Sequence, residues 1–301
     1  MCGLAGFYSF TDTWKLDKPT LVRMLADIQD RGKDATGYAT QVKPGGKFFY
    51  GKAPMLVAQF ATEFLGKPEV PVGFAALLHT RSASVGSEKD NRNNHPICHG
   101  DVIAVHNGTI NVADVAKAYK EINITPIAEV DSSIFPVLLH EMGIPKGVAY
   151  MNKNLAGTGA VVALLRDGSL FMARDGRPLY LGRTKEGIVW SSDGDSVLNV
   201  IRQEGLMGQF WGSLCRFEPY TYLVLNRNGK VAEAGEFKLP TYFGFLPMAG
   251  YQAATSQGAV DVCDWPGCAK KSRSMVARDS KILNLCNKHV NKANQFPKLP
   301  F

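Results

Sequence analysis

Cys2-Gly3-Leu4-Ala5-Gly6-Phe7-Tyr8-Ser9-Phe10 follows Met1 directly and sets the reading of the whole chain. Gly3 to Phe10 is a short apolar run of the kind that forms a buried strand. The residue just ahead of it is a cysteine. A small second residue is the usual circumstance for removal of the initiator methionine, and Cys2 would then own both a thiol and a free α-amine. An α-amine titrates at about 7.7–8.0, so near neutral pH it can take the thiol proton and return it to a leaving amine. One residue would supply nucleophile and base. Taken alone, a cysteine here reads first as a buried side chain at a strand start.

Working outward, Leu21, Met24, Leu25 and Ile28 recur at helical spacing behind Pro19, a favoured first-turn residue. Thr36 to Val42 and Lys47 to Gly51, parted by Pro44-Gly45-Gly46, read as a hairpin. Pro54 to Leu65 has helical spacing, while Val72 to Leu78 and Val102 to Val105 read as buried strands on either side of a long polar loop. Val112 to Ile122 and Ser132 to Met142 read as helices. Four strands are then expected over Ala160 to Leu165, Leu170 to Ala173, Leu179 to Gly182 and Ile188 to Ser191. Turns at Arg166-Asp167-Gly168, Asp175-Gly176 and Lys185-Glu186-Gly187 separate them, and the spacing predicts one antiparallel meander. Tyr220 to Leu225 and Val231 close as a hairpin around Asn228-Gly229. Sheets with helices segregated to their faces make an α+β layered domain.

The 301 residues, 45% hydrophobic and 20% charged, describe an ordinary globular chain and exclude collagenous, coiled-coil and wholly disordered readings. The net charge of +7 is concentrated in the tail: residues 240–301 hold 8 Lys and Arg against 3 Asp and Glu. No basic leader ahead of a long apolar stretch is evident, and the longest apolar runs fall far short of the roughly 18 residues that span a bilayer, so a cytoplasmic chain without a membrane partner is expected. Six cysteines, at 2, 98, 215, 263, 268 and 286, are too few and too unevenly spaced for a disulfide framework.

Six further pieces stand in order along the chain: Arg31-Gly32-Lys33-Asp34-Ala35-Thr36-Gly37, His79-Thr80-Arg81-Ser82-Ala83-Ser84, Asn94-His95-Pro96, Val105-His106-Asn107-Gly108-Thr109-Ile110, Glu129-Val130-Asp131-Ser132-Ser133, and Ala173-Arg174-Asp175-Gly176-Arg177-Pro178-Leu179. With Cys2-Gly3-Leu4-Ala5-Gly6, this set resembles the class II glutamine amidotransferase family, whose glutaminase domains begin with a nucleophilic cysteine. The resemblance extends from Cys2 to about residue 235 and implies a four-layer αββα N-terminal-nucleophile hydrolase sandwich. It implies hydrolysis of the L-glutamine side-chain amide through a Cys2 γ-glutamyl thioester, with Asn107 and Gly108 as oxyanion donors.

The same resemblance places Arg81 on the substrate α-carboxylate and Asp131 on its α-ammonium, with Thr80, Ser84 and His95 in the glutamine loop. Arg31, Asp34 and Gly37 support the wall around Cys2. By position alone Arg81 reads as half of a surface ion pair, Asp131 as a helix cap, and Asn107-Gly108 as a hairpin turn. Ser82 stands where glucosamine-6-phosphate synthase has tryptophan, which bears on how the site seals. No acceptor domain follows, so ammonia would pass to a separate synthase.

Residues 236–262 read as a linker and 263–301 as a small basic module. Cys263, Cys268, Cys286 and His289 form C-x4-C and C-x2-H pairs, a donor set suited to tetrahedral Zn2+. Lys270, Lys271, Arg273, Arg278, Lys281, Lys288 and Lys292, with Trp265, could equally meet nucleic acid or dock a protein partner. Two alternatives to the glutaminase reading stay open here: a hydrolase of another γ-glutamyl amide, and a zinc-dependent binding module on an amidotransferase scaffold.

Overall fold

Apolar side chains on alternate faces of two stacked sheets organise the molecule. The computed structural model of the chain describes residues 1–206, 214–241, 274–278 and 281–285. Fifteen strands are seen among them: β1 Gly3–Ser9, β2 Ala35–Gln41, β3 Phe48–Ala53, β4 Ala75–Arg81, β5 Ile97–His99, β6 Val102–Ile110, β7 Gly157–Leu165, β8 Leu170–Asp175, β9 Tyr180–Arg183, β10 Gly187–Ser191, β11 Cys215–Phe217, β12 Thr221–Leu225, β13 Val231–Glu236, β14 Ser274–Arg278 and β15 Lys281–Leu285. One sheet runs β15-β14-β11-β9-β10-β1-β4-β2-β3 and the other β13-β12-β8-β7-β6-β5.

On β6, Ile103 and Val105 enter the core between the sheets, where Leu4 and Tyr8 of β1 meet them, while Val102 and Ala104 face outward. Helices α3 Val112–Glu121, α4 Ile134–Met142 and α5 Ile144–Asn154 cover that outer face. Helices α1 Lys18–Ile28, α2 Val57–Phe60 and α6 Gly194–Gln203 cover the far face of the larger sheet, packing on Ala5, Phe7, Ala76, Leu78 and Val189. Three apolar cores between four layers make an αββα sandwich, as the resemblance implies. No helix among the described residues is long and apolar enough to cross a membrane.

Several elements differ from the expectation. The four-strand meander is divided between the sheets: β7 and β8 belong to the six-stranded one, and at Asp175-Gly176 the chain crosses to β9 and β10 in the nine-stranded one. Turn signals report that strands reverse, not which sheet receives them. The strand expected to end at Leu78 continues to Arg81, so the His79-Thr80-Arg81 motif sits on strand rather than loop. The helix expected over 54–65 is one α-turn, α2, followed by a π-helical turn at Ala61–Leu65.

Two helices were not expected. In α5, Pro145 stands in the first turn and Gly147 packs tightly on α4, and both residues look like breaks in a one-dimensional reading. For α6 the signal was present: Asp193 caps the Asp195 N–H, and Val197, Val200 and Ile201 form its buried stripe.

The packed domain also runs past residue 235, because Phe237 and Leu239 are buried in the core beneath α3–α5. Farther on, the backbone of β14 pairs in parallel with β11, so this part of the tail extends the larger sheet. Cys263, Cys268, Cys286 and His289 lie outside the described residues.

Candidate active site

Strand register gathers the predicted residues at one end of the sandwich. Gly3 pairs with Thr80, which pairs on its other side with Thr36, while Ala35 pairs with Arg81. Cys2 thus lies where β1, β4 and β2 all terminate. Its Sγ accepts the Ser82 N–H at 3.4 Å, with the Ser82 carbonyl 3.6 Å away, and Arg31 Nε donates to the Cys2 carbonyl at 3.2 Å. Burial pushes the Cys2 thiol pKa up, against the opposing pull of the Ser82 N–H, the chain's amino terminus and Arg81. At neutral pH the sulfur keeps its proton, so attack requires a base.

Arg81 is almost wholly buried. Its Nη1 donates to Asn94 Oδ1 at 2.9 Å, and its Nη2 to the Val85 and Gly86 carbonyls at 2.6 and 2.8 Å. The guanidinium therefore organises the loop after β4 as well as facing Cys2. Asp34 closes the same wall, accepting the Ala83 N–H at 2.7 Å while its own N–H donates to the Arg81 carbonyl. Ser84 is exposed on this loop. The Thr80 hydroxyl points the other way, donating to the Ile28 carbonyl at the end of α1.

Gly37 has a steric reason: a Cβ there would lie 2.0 Å from the His95 carbonyl oxygen. The His95 ring is buried and stacked on His79 with centroids 4.2 Å apart. Burial lowers the pKa of both His79 and His106 to about 3 and takes His95 well below the usual imidazole range. These three rings are neutral at pH 7 and belong to the wall.

The second half of the site comes from the smaller sheet, whose β6 packs against β1 and β4. Asn107 is 1% exposed, and its Nδ2 has no hydrogen-bond partner among the described residues. A Cβ at Gly108 would lie 2.1 Å from the Thr158 carbonyl, so only glycine fits beside it. Asp131, in a short 3-10 turn, does not cap α4. Its Oδ2 accepts the Ile110 N–H at 2.6 Å and its Oδ1 the Ser132 N–H at 2.9 Å. Burial raises its pKa, and those N–H groups and Arg81 oppose the rise.

Two contributors carry no role in the sequence reading. Asn94 bonds Arg81 and also donates through Nδ2 to the Glu88 carbonyl and Asn91 Oδ1. Lys52 reaches from β3 to the Asn94 and Pro96 carbonyls at 2.7 and 2.9 Å, with burial lowering its pKa to about 8. Asn94 stood inside a quoted motif; nothing in the sequence around Lys52 marks it.

Residues 79–199, the span that holds Arg81, Asn107, Gly108 and Asp131, match the family model described as glutamine amidotransferase domain. Over those residues the chain is similar to a glutamine amidotransferase domain. Across 192 residues it is 31% identical to the glutamine–fructose-6-phosphate aminotransferase (isomerizing) of Sulfurisphaera tokodaii, a match covering 60% of this chain and 31% of that protein. The Helicobacter pylori protein of the same description is 27% identical over 200 residues, 64% of this chain and 32% of the relative. The chain thus spans about a third of the length of these relatives.

Among solved structures, one described as the allosteric regulatory enzyme of purine biosynthesis superposes with a TM-score of 0.61 at 19% identity, covering 80% of this chain and 50% of that one. A glutamine phosphoribosylpyrophosphate amidotransferase from B. subtilis, complexed with ADP and GMP, gives 0.57 at 16% identity over the same shares. Both share the two-sheet α+β sandwich of this chain.

Proposed function

We propose that the chain hydrolyses the side-chain amide of L-glutamine, releasing glutamate and passing ammonia to a separate synthase. The observation that carries this reading is the buried Asn107 Nδ2 without an acceptor among the described residues, on the strand that packs against the one following Cys2. An orphaned buried donor costs about 1–3 kcal/mol, and an oxygen that becomes anionic during the reaction would answer it.

With Met1 removed, the freed amine takes the Cys2 thiol proton and sulfur attacks the amide carbon. The resulting oxyanion faces Asn107 and Gly108. Collapse expels ammonia, which leaves with the proton held by the amine, and water then cleaves the thioester to glutamate. Glutamine's carboxylate would replace the Val85 and Gly86 carbonyls on Arg81, and its ammonium would take the remaining lone pairs of Asp131. A reduced sulfur suits a cytoplasmic setting.

Glutamate release from L-glutamine, measured beside Cys2→Ala and beside the intact mass of the mature chain, tests the reading. Activity that survives Cys2→Ala, or a fully active chain that still bears Met1, would sink it. Turnover of bulkier γ-glutamyl amides in preference to glutamine would instead favour the acceptor-free hydrolase. For the tail, the chemistry of three thiolates and one imidazole fits Zn2+ held by Cys263, Cys268, Cys286 and His289. One equivalent of zinc in the purified chain, lost in Cys263→Ser, is the expected result.

A further inference from the structure

One cleft among the described residues is not lined by Cys2, Arg81, Asn107 or Asp131. It encloses about 360 Å3 at the end of the smaller sheet, where Thr109 of β6 and Thr158 of β7 meet Asp175, Arg177, Tyr220 and Lys238. That volume lies in the range of small-molecule sites. These residues come from five separate stretches of chain, and only the folded sandwich brings them together.

Their chemistry has a definite sign. Arg177 follows β8 and Lys238 follows β13, so two cations line one cleft from different elements. Lys238 Nζ lies 5.7 Å from the centroid of the Tyr220 ring. Tyr220 is 48% exposed and holds a backbone φ of 61°, a conformation an aromatic residue adopts only at a cost in energy and one that clusters at binding sites. The single acid of the lining is engaged by the backbone: Asp175 Oδ2 accepts the Leu239 N–H at 2.8 Å, and burial raises its pKa against that N–H, Lys238 and Arg174. Arg177 Nη1 also lies 3.5 Å from Met1 Sδ, which places residue 1 at the cleft's rim.

We propose that this cleft binds a small organic molecule through an anionic group, a carboxylate or a phosphate ester, held by Arg177 and Lys238 with its apolar part against Tyr220. The occupant would lie beside the Cys2 site without sharing its residues. The inference does not depend on glutamine hydrolysis, so the two stand or fall separately.

Calorimetric titration of the full chain with benzoate and with phenyl phosphate, using benzyl alcohol as the neutral control, distinguishes the two anion sources. Saturable one-to-one binding of at least one anion is expected, with none for the alcohol. Arg177→Gln and the exposed Lys238→Gln should each weaken it tenfold or more. Asp175→Asn keeps an acceptor for the Leu239 N–H and should tighten it several-fold, a gain that damage to the fold would not produce. Cys2→Ala should bind as the parent does. Absence of saturable binding to the parent, affinities unchanged in Arg177→Gln and Lys238→Gln (as adsorption to the basic tail would give), or weakening in Asp175→Asn would overturn the proposal.

Discussion

Two buried asparagines of the site, one in a loop and one on a strand, are used in opposite ways. Asn94, in the loop between β4 and β5, has all its reach committed: Arg81 on its carbonyl, and the Glu88 carbonyl and Asn91 on its amide. Asn107, on β6 of the six-stranded sheet, is just as buried and leaves its amide without a partner among the described residues. The first arrangement holds a loop shut around Arg81. The second leaves an amide donor open to an incoming acceptor. One half of the site is therefore wall and the other half is waiting donor, which is how a preorganised oxyanion site is expected to look.

Replacing each residue should separate the two roles. Asn107→Ala is expected to lower kcat for glutamine by 10²–10³, about 2.7–4 kcal/mol of transition-state stabilisation, with stability unchanged or slightly higher because a dry donor has been removed. Steady-state kinetics and denaturant melts on the same sample check both halves of that statement. Asn94→Ala should do the reverse, costing about 1–3 kcal/mol of stability by stranding Arg81 Nη1, with its kinetic effect mainly on KM. If Asn94→Ala lowered kcat more than Asn107→Ala, the contrast would be wrong.

Smaller effects probe the wall alone. Gly37→Ala pushes a methyl into the His95 carbonyl and should cost about 1–3 kcal/mol, the usual range for overpacking, read as a lower melting midpoint. Lys52 should respond to pH. Its folded pKa of about 8 lies below the ordinary lysine value, so between pH 8 and roughly 10.4 the unfolded chain binds more protons and stability attributable to this group rises with pH. Relative to Lys52→Met, the parent chain should gain stability as pH is raised from 8 to 10, and a constant difference would show that Lys52 is not held in a dry site.

Much of this site was legible in one dimension because the residues fall in short, ordered motifs on or beside strands. Cys2, Arg81, Asn107, Gly108 and Asp131 could be picked out before any fold was known. Their partners could not. Thr80 reads as part of a glutamine loop, yet its hydroxyl buttresses α1. His95 reads the same way, yet its ring stacks on His79 behind the wall. Lys52 joins strand to loop across 42 residues to Asn94 and 44 to Pro96, a separation at which spacing carries no information.

The strand-forming runs, the cysteine ahead of the first of them and the residue types arrayed around it were readable from the sequence alone. Those properties are local: apolar patterning, glycine at crowded positions and side-chain chemistry all act within a few residues. Tertiary structure decided which sheet each strand joined, since β6 and β7 are apolar on both faces and their pattern does not say which face meets the partner sheet. It alone decided which asparagine was satisfied and which was left bare, and it alone assembled the cationic cleft. Burial and hydrogen-bond satisfaction depend on every neighbour in space, and most of those neighbours lie far away along the chain.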